Sequence, residues 1–271
     1  MTALEAATGP DGHGRSDYGG EFVGKKVLVT GAAGIIGGWI ADAFANRGAE
    51  LYLSDCRASP LEDEVANGRW NEVPVHIHET ELRDRQSMES LVLSVSAKWG
   101  APDIMINNAG VYPHNPLLNV ELDEWQAILD VNVTAPFFLI SAMAKLMINH
   151  GVAGSFVNIL SGASVTVSRD GVPYSVSKAA LAMLTRGASL ELAPHGIRVN
   201  GVAPGFAPGS EVSILDDDYV QSMRRSIPLG RVSSAADSPE AVVFLSSSRA
   251  SFITGAVISV DGGRGAGPVS R

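Results

Sequence analysis

The chain has 271 residues, 45% of them hydrophobic and 18% charged, which is the composition of a globular protein with ample material for a core. The net charge of −9 argues against a nucleic-acid binder, whose affinity rests on a basic surface, and argues weakly against docking on anionic lipid. The single cysteine, Cys56, excludes an intrachain disulfide and zinc sites built from several cysteines.

The amino-terminal residues 1 to about 20 are rich in Gly, Asp and Ser and lack apolar periodicity, so they predict a flexible tail. From Lys25 onward, short apolar runs alternate with stretches of helical spacing. Predicted strands occupy 26–30, 49–55, 73–77, 103–110, 154–161, 196–205 and 256–263. Predicted helices occupy 35–47, 87–99, 121–149, 173–192 and 240–247.

Strands that are nearly continuous in Val, Ile and Leu, separated by helices, indicate a parallel sheet covered on both faces. We therefore predict a single α/β domain over residues 21–271, with a Rossmann-like, doubly wound parallel sheet of about seven strands. Residues near 208–231 are predicted to form a mobile lid. Ligands of such sheets bind beyond the carboxyl ends of the strands, so the residues at those ends are the candidates for a site.

Glycine recurs at Gly31, Gly34 and Gly37, where the first predicted strand runs into a helix. Such a turn lets the backbone approach a pyrophosphate, and the helix that begins near Ile36 offers free N–H groups and the positive end of its dipole. The alternative is a tight strand-to-helix turn without a ligand, since glycine is common in this chain.

Asp55 ends the second predicted strand. A carboxylate there accepts hydrogen bonds from both hydroxyls of the adenosine ribose and repels a 2′-phosphate, so it favours NAD(H) over NADP(H). Arg57, two residues further on, would soften this preference. The alternative is a solvent-exposed aspartate in a turn.

Tyr174 and Lys178 lie four residues apart at the start of a predicted helix, so they share one face. A cation that close is expected to lower the pKa of the tyrosine, which would let the phenol act as a general acid or base near neutral pH. Ser161 ends the fifth predicted strand and can donate a hydrogen bond to the same substrate oxygen. Asn132 lies in an apolar helical stretch, where its side chain needs a partner. The alternatives are an ordinary amphipathic helix face for the Tyr–Lys pair and a kinking or capping role for Asn132.

These pieces belong to a series of motifs that extends from Lys26 to Gly263. In chain order they are TGAAGIIG, the strand-end Asp55, NNAG at 107–110, the helix of Asn132, NILS at 158–161, YSVSK at 174–178, RVNGVAPG at 198–205 and VDGG at 260–263. In their order and spacing the chain resembles the short-chain dehydrogenase/reductase family.

The resemblance implies that Tyr174 is the catalytic acid/base, that Lys178 binds the nicotinamide ribose and lowers the pKa of the tyrosine, and that Ser161 orients the substrate carbonyl. It implies that Asn132 supports a water-linked proton relay through a distorted helix, while hydride passes between nicotinamide C4 and the carbonyl carbon. The residues implied to contact the cofactor are Gly31, Gly34, Ile36, Gly37, Asp55, Leu82, Asn108, Ala109, Gly110, Tyr174, Lys178, Pro204 and Gly205.

The chain departs from the family pattern in three places. Its glycine loop reads TGxxGxxG, as in the extended branch of epimerases and dehydratases, whereas the downstream motifs fit the short branch. The threonine that contacts the nicotinamide carboxamide in the family corresponds to Gly209, with Ser210 as its possible substitute. The aspartate that contacts the adenine is replaced by Glu81 or displaced to Asp84.

We expect the substrate to be a small neutral ketone or secondary alcohol, contacted by Ser161, Tyr174, Tyr112 and Phe206. The resemblance implies a homo-oligomer, a tetramer or a dimer, although the same helix faces can instead form the core of a monomer. No nucleic acid, membrane or metal is predicted to bind, and the most apolar long run, 131–144, is too short to cross a bilayer. With no basic region followed by an apolar one at the amino terminus, we expect a cytoplasmic protein.

The sequence is compatible with three functions. We expect an NAD(H)-dependent oxidoreductase that interconverts a secondary alcohol and a ketone. An NAD-dependent enzyme of the epimerase or dehydratase kind is the alternative that the glycine loop suggests. A non-catalytic protein that senses a dinucleotide is the third, and it would leave the set of Asn132, Ser161, Tyr174 and Lys178 without a use.

Overall fold

Seven strands form one sheet in the computed structural model, which describes residues 20–208 and 217–267. The strands are β1 Lys26–Thr30, β2 Glu50–Asp55, β3 Val75–Glu79, β4 Ile104–Asn107, β5 Ser155–Ile159, β6 Arg198–Pro204 and β7 Val257–Val260. Their order is β3-β2-β1-β4-β5-β6-β7, and every neighbouring pair is parallel. The predicted doubly wound sheet is therefore confirmed, while the predicted tail falls almost entirely outside the described residues.

Helices cover both faces of this sheet. They are α1 Ile35–Ala45, α2 Ser59–Ala66, α3 Arg85–Trp99, α4 Leu122–Leu129, α5 Ala135–Asn149, α6 Val172–Leu192, α7 Asp217–Arg225 and α8 Ser238–Ser246. Alternate strand residues point to opposite faces, so Val27 and Val29 of β1 pack with α1 and α8, whereas Leu28 packs with α3 and α5. Because all strands are parallel, their carboxyl ends lie at one edge of the sheet, which brings the predicted site residues to one side of the molecule.

The helix α2 is absent from the sequence prediction. It buries only Leu61 and begins with a proline in its first turn, so it has no apolar repeat to reveal it. The third strand lies two residues later than predicted, at Val75–Glu79, because it holds His76, His78 and Glu79 and is only partly buried at the sheet edge. Half-exposed edge strands lack the continuous apolar run on which the prediction depends.

The single long helix predicted at 121–149 is interrupted. A π turn at Asp130–Thr134 separates α4 from α5, which matches the distortion expected around Asn132. Taken together, Leu122–Asn149 has the length and the mean hydropathy, 1.6 over 18 residues, that a membrane span requires, and half of that window is buried inside the protein. The buried part includes Leu139, Met143 and Met147, which belong to the core beneath the sheet.

Candidate active site

The carboxyl ends of β1 and β4 are tied together by Thr30 and Asn108. The Thr30 hydroxyl accepts hydrogen bonds from the backbone N–H groups of Asn108 and Ala109, at 3.2 and 3.3 Å. The Asn108 side-chain amide donates to the carbonyls of Thr30 and Gly31, at 3.0 and 2.9 Å. Asn108 was predicted to contact a cofactor, but its amide protons are engaged in holding the glycine turn. Thr30 stands inside the TGAAGIIG motif, where nothing in the sequence marks it as the tie between the two strands.

The glycine turn has no room for side chains at two positions. A Cβ on Gly37 would lie 2.2 Å from the carbonyl oxygen of Gly31, and a Cβ on Gly31 would lie 2.6 Å from the Cα of Ala109. Gly31 also has a φ of +64°, which favours glycine. Gly34 precedes the first turn of α1 without a side-chain cap, so the N–H groups of that turn, Ile36 and Gly37 among them, stay open to an anion.

Asp55 lies beside this turn at the end of β2. Its Oδ2 accepts a hydrogen bond from the backbone N–H of Ala33 at 3.1 Å, and its Oδ1 accepts one from the N–H of Arg57 at 3.3 Å. Oδ1 also accepts from the Cys56 thiol at 3.5 Å, so the further acceptor capacity of the carboxylate lies on Oδ2. The predicted ribose carboxylate and the predicted phosphate loop are thus adjacent.

The segment after β3 holds Glu81, Leu82 and Asp84, which the sequence analysis related to the adenine of a cofactor. Leu82 is buried, and its side chain packs in the core with Met88 and Leu91 of α3. Asp84 caps α3 by accepting a hydrogen bond from Gln86 N–H at 3.0 Å, and Glu81 is held by the guanidinium of Arg83. Both acidic side chains are therefore engaged by the protein itself.

Asn132 projects from the π turn and is fully buried. Its Oδ1 accepts from the N–H of Val111 at 2.9 Å, while its Nδ2 donates to the carbonyl of Val111 at 2.8 Å and to the Ser177 hydroxyl at 3.0 Å. The polar partner that its apolar surroundings require is supplied by the segment after β4 and by α6. Asn132 therefore fixes two elements of the site against each other.

Ser161, Tyr174 and Tyr112 come together beyond the ends of β4 and β5. The Ser161 hydroxyl accepts a hydrogen bond from Ala163 N–H at 3.1 Å and lies close enough to the Tyr174 phenol to lower its pKa. The rings of Tyr112 and Tyr174 meet edge to face, with centroids 6.3 Å apart. These three predicted substrate contacts share one location in the fold.

Lys178 is buried on the same helix, one turn beyond Tyr174. Its Nζ donates to the carbonyl of Ile159 at 2.9 Å and lies 5.8 Å from the centre of the Tyr174 ring. A Cβ on Gly110 would lie 3.4 Å from this Nζ and 3.3 Å from Asn132 Oδ1, so the ammonium sits beside Gly110. Burial lowers the pKa of Lys178 to about 8.

The expectation that Lys178 lowers the pKa of Tyr174 is wrong. Burial raises the pKa of the phenol, and the nearby Ser161 hydroxyl opposes this rise. The ammonium of Lys178 donates to the carbonyl of Ile159 rather than to the phenol. Ser161 is therefore the group that favours the phenolate.

Phe206, the fourth predicted substrate contact, lies apart from the other three. It follows Pro204 and Gly205 at the end of β6 and lines a cavity of about 330 Å³ with Ile227, Leu229 and the Arg231–Asp237 ion pair. Its ring also meets that of Tyr219 on α7, with centroids 5.9 Å apart. Of the predicted lid, α7 and residues 226–231 are described, whereas Gly209 and Ser210 lie outside the described residues.

The residues at the strand ends fit a nicotinamide dinucleotide. A pyrophosphate needs a close approach of backbone N–H groups, which the side-chain-free turn at Gly31 and Gly37 provides. A ribose hydroxyl needs an acceptor such as Asp55, and Lys178 retains donor capacity beyond its bond to Ile159. No described residue contradicts this fit.

Comparison with known proteins points the same way as the geometry. The profile of a family described as enoyl-(acyl carrier protein) reductase matches residues 31–264. Gluconate 5-dehydrogenase of Gluconobacter oxydans is 33% identical over 89% of this chain and 94% of its own. The 3alpha-hydroxysteroid dehydrogenase of Mediterraneibacter gnavus is 33% identical over 88% of this chain and 96% of its own.

Solved structures with the same fold include both forms of the cofactor. NAD⁺-bound xylitol dehydrogenase has a TM-score of 0.82 and 32% identity, covering 89% of this chain and 99% of its own. A gluconate 5-dehydrogenase from Burkholderia cenocepacia J2315, in complex with NADP and tartrate, has a TM-score of 0.84 and 28% identity, covering 94% of this chain and all of its own. The chain therefore belongs to the short-chain dehydrogenase/reductase family of oxidoreductases.

Proposed function

We propose that the chain is an NAD(H)-dependent oxidoreductase that interconverts a secondary alcohol and a ketone, with Tyr174 as the general acid/base. The observation that carries this proposal is the meeting of three side chains at one place: the buried ammonium of Lys178 lies 5.8 Å from the centre of the Tyr174 ring, and the Ser161 hydroxyl lies close to the phenol. A bound nicotinamide dinucleotide would supply the two-electron acceptor or donor. The chain supplies the binding surface, the orientation and the proton.

Each side chain has a defined task in this proposal. In alcohol oxidation, Tyr174 accepts the hydroxyl proton, and in ketone reduction it returns that proton to the carbonyl oxygen. Ser161 donates a hydrogen bond to the same oxygen and fixes its position. Lys178 holds the nicotinamide ribose through the donor capacity that its bond to Ile159 leaves. Asn132 keeps the segment of Val111 and Tyr112 in place against α6.

A panel of ketones and secondary alcohols, assayed with both cofactors through NADH absorbance, tests the proposal. We expect a net absorbance change with at least one compound. Turnover of substrate without any net change would instead indicate the epimerase or dehydratase kind of reaction, because such enzymes restore NAD in every cycle. Cofactor binding without turnover of any compound would indicate a dinucleotide sensor.

We propose that NAD(H) is preferred over NADP(H) because of Asp55. Removing one hydrogen-bonded charge costs about 1.5–3 kcal/mol, so Asp55→Ala is expected to weaken NAD binding by about 10- to 100-fold. Asp55→Asn is the matched control, since its amide oxygen still accepts from the N–H of Ala33 while the charge is gone. We expect Asp55→Asn to narrow the gap between NAD and NADP dissociation constants measured by calorimetry. Equal affinities of the unaltered chain for both cofactors would contradict this assignment.

We also propose a homo-oligomer, a tetramer or a dimer, in which copies pack through α5 and α6. The support is a set of exposed apolar side chains on these helices, namely Phe137, Val176, Met183 and Leu190, which are 58%, 42%, 63% and 78% exposed. A monomeric mass by light scattering would contradict this. We also propose a cytoplasmic location, since a chain with one cysteine fits a reducing compartment.

A further inference from the structure

Ser177 lies between Tyr174 and Lys178 in the chain and is fully buried. Its hydroxyl donates a hydrogen bond to the carbonyl of Tyr174 at 2.7 Å and accepts one from Asn132 Nδ2 at 3.0 Å. A serine hydroxyl has one proton to donate and lone pairs to accept, so both bonds are satisfied together. This side chain therefore joins α6 to the π turn of Asp130–Thr134.

The connection continues beyond Asn132. The Asn132 amide binds both the N–H and the carbonyl of Val111, which directly precedes Tyr112. The ring of Tyr112 contacts the ring of Tyr174, whose carbonyl accepts the Ser177 hydrogen bond, so the contacts form a closed ring. Three elements, the segment after β4, the π turn and the first turn of α6, are held in one arrangement by buried hydrogen bonds.

Lys178 depends on the same arrangement. Its ammonium lies beside Gly110, at a position where Asn132 Oδ1 is also close, and it is anchored to β5 by the carbonyl of Ile159. A shift of α6 relative to the π turn would move the phenol and the ammonium together, away from Gly110 and Ser161. In a site of this kind, a misplacement of about 1 Å can reduce the rate by about 10²-fold.

We propose that Ser177 is a positioning residue, which locks the first turn of α6 to the π turn and thereby aligns Tyr174 and Lys178 with the substrate position. This inference rests on the proposed function for what the aligned groups do. It goes beyond that function because Ser177 itself contacts neither substrate nor cofactor. The competing explanation is a purely structural role, in which Ser177 only satisfies the buried amide of Asn132.

Ser177→Ala is the test variant, and Ser189→Ala is its matched control. Ser189 is also buried on α6 and makes the same kind of bond, from its hydroxyl to the carbonyl of Arg186 at 2.7 Å, but it lies far along the helix from Tyr174. Ser177→Cys fills the same space with a weaker hydrogen-bonding group, so it guards against failure of the alanine variant to fold.

We expect Ser177→Ala to lower kcat by about 10-fold or more while KM changes little, and Ser177→Cys to fall between the alanine variant and the unaltered chain. The acidic limb of the kcat–pH profile for alcohol oxidation, where Tyr174 becomes protonated and can no longer accept the hydroxyl proton, is expected to move to higher pH. The reason is that a displaced phenol loses part of its contact with the Ser161 hydroxyl, which lowers the pKa of Tyr174. Ser189→Ala should leave kcat and the profile unchanged, although its melting temperature falls.

A second readout does not need turnover. Carbon-13 labelling of the tyrosine Cζ atoms gives five NMR signals to titrate, and Tyr174→Phe identifies the one of interest. We expect the titration midpoint of Tyr174 to rise in Ser177→Ala and to stay constant in Ser189→Ala. An unchanged midpoint and an unchanged kcat in Ser177→Ala, with only a loss of melting temperature, would overturn the positioning role. Absence of turnover in the unaltered chain would overturn the proposed function instead, while the titration would still decide the role of Ser177.

Discussion

Replacing Tyr174 with phenylalanine is expected to reduce turnover by about 10²- to 10⁴-fold, because the variant loses the only proposed general acid/base. Phenylalanine keeps the aromatic ring, and therefore the contact with Tyr112, so the surroundings of the site are preserved. NADH affinity, measured by fluorescence titration, should change by less than about threefold, since no proposed cofactor contact other than the phenol is removed.

Tyr52→Phe is the matched control for this variant. Tyr52 is also buried, its side chain packs against α3 and its hydroxyl shares a hydrogen bond with Ser94 at 2.6 Å, so this hydroxyl touches none of the proposed catalytic residues. Losing that bond is expected to cost about 1 kcal/mol of stability and to leave turnover unchanged. A Tyr174→Phe variant that turns over at a rate close to that of Tyr52→Phe would show that another group transfers the proton.

Replacing Lys178 with methionine is expected to make the protein more stable and nearly inactive. Burial lowers the pKa of this lysine from 10.5 to about 8, and each pKa unit corresponds to about 1.4 kcal/mol, so keeping the charge costs the folded chain about 3 kcal/mol. Methionine fills similar space without a charge and loses the bond to Ile159, worth about 1 kcal/mol. The free energy of unfolding at pH 7 should therefore rise by about 2 kcal/mol, while turnover falls by about 10²-fold or more.

The stability difference between Lys178→Met and the unaltered chain is expected to depend on pH. The unfolded chain keeps the lysine proton up to about pH 10.5 and the folded chain only up to about pH 8, so the unfolded state binds more protons between these values. The free energy of unfolding of the unaltered chain should therefore rise between about pH 8 and pH 10.5, whereas Lys178→Met lacks this contribution. The advantage of methionine should be complete below about pH 8, and above about pH 10.5 the variant should be less stable by about 1 kcal/mol, the contribution of the bond to Ile159.

Urea unfolding at several pH values measures this difference. Lys145→Met on the exposed side of α5 is the control, and its stability should stay within about 0.5 kcal/mol of the unaltered chain. A Lys178→Met variant that is less stable than the unaltered chain at pH 7 would contradict the cost assigned to the buried charge.

The sequence predicts the sheet well and its contacts poorly, for a physical reason. Buried strands such as β1 and β5 are continuous apolar runs, and their ends mark where ligands bind, so Asp55 and Ser161 are predicted from position alone. Tyr174, on α6, is predicted from its spacing to Lys178. The partner of each side chain depends on how loops and helices pack in three dimensions. Neither the donation of Lys178 to Ile159 nor the burial that raises the pKa of Tyr174 follows from their four-residue spacing.

Ser177 and Thr30 are two residues whose roles the sequence does not reveal. Both stand inside motifs that the sequence displays, YSVSK and TGAAG, yet their importance lies in bonds to residues 45 and 78 positions away. A small hydroxyl residue is common in helices and turns, so nothing local marks it. The one signal that points to Ser177 is the need of Asn132 for a buried partner, which identifies the requirement but not the residue that meets it.

The π turn also governs the orientation of the rest of the long helix. Buried residues recur at every fourth position, from Val131 to Met147 in one row and from Ile128 to Ala144 in another. On an unbroken α-helix, with about 100° per residue, such a row would wind away from the sheet by about 160° over its length. The wide turn absorbs about one residue, or about 100°, of this winding. A single surplus residue thus aims Asn132 inward and brings Met143 and Met147 back into phase with the core, and a sustained four-residue repeat of apolar side chains is the trace that such a bulge leaves in a sequence.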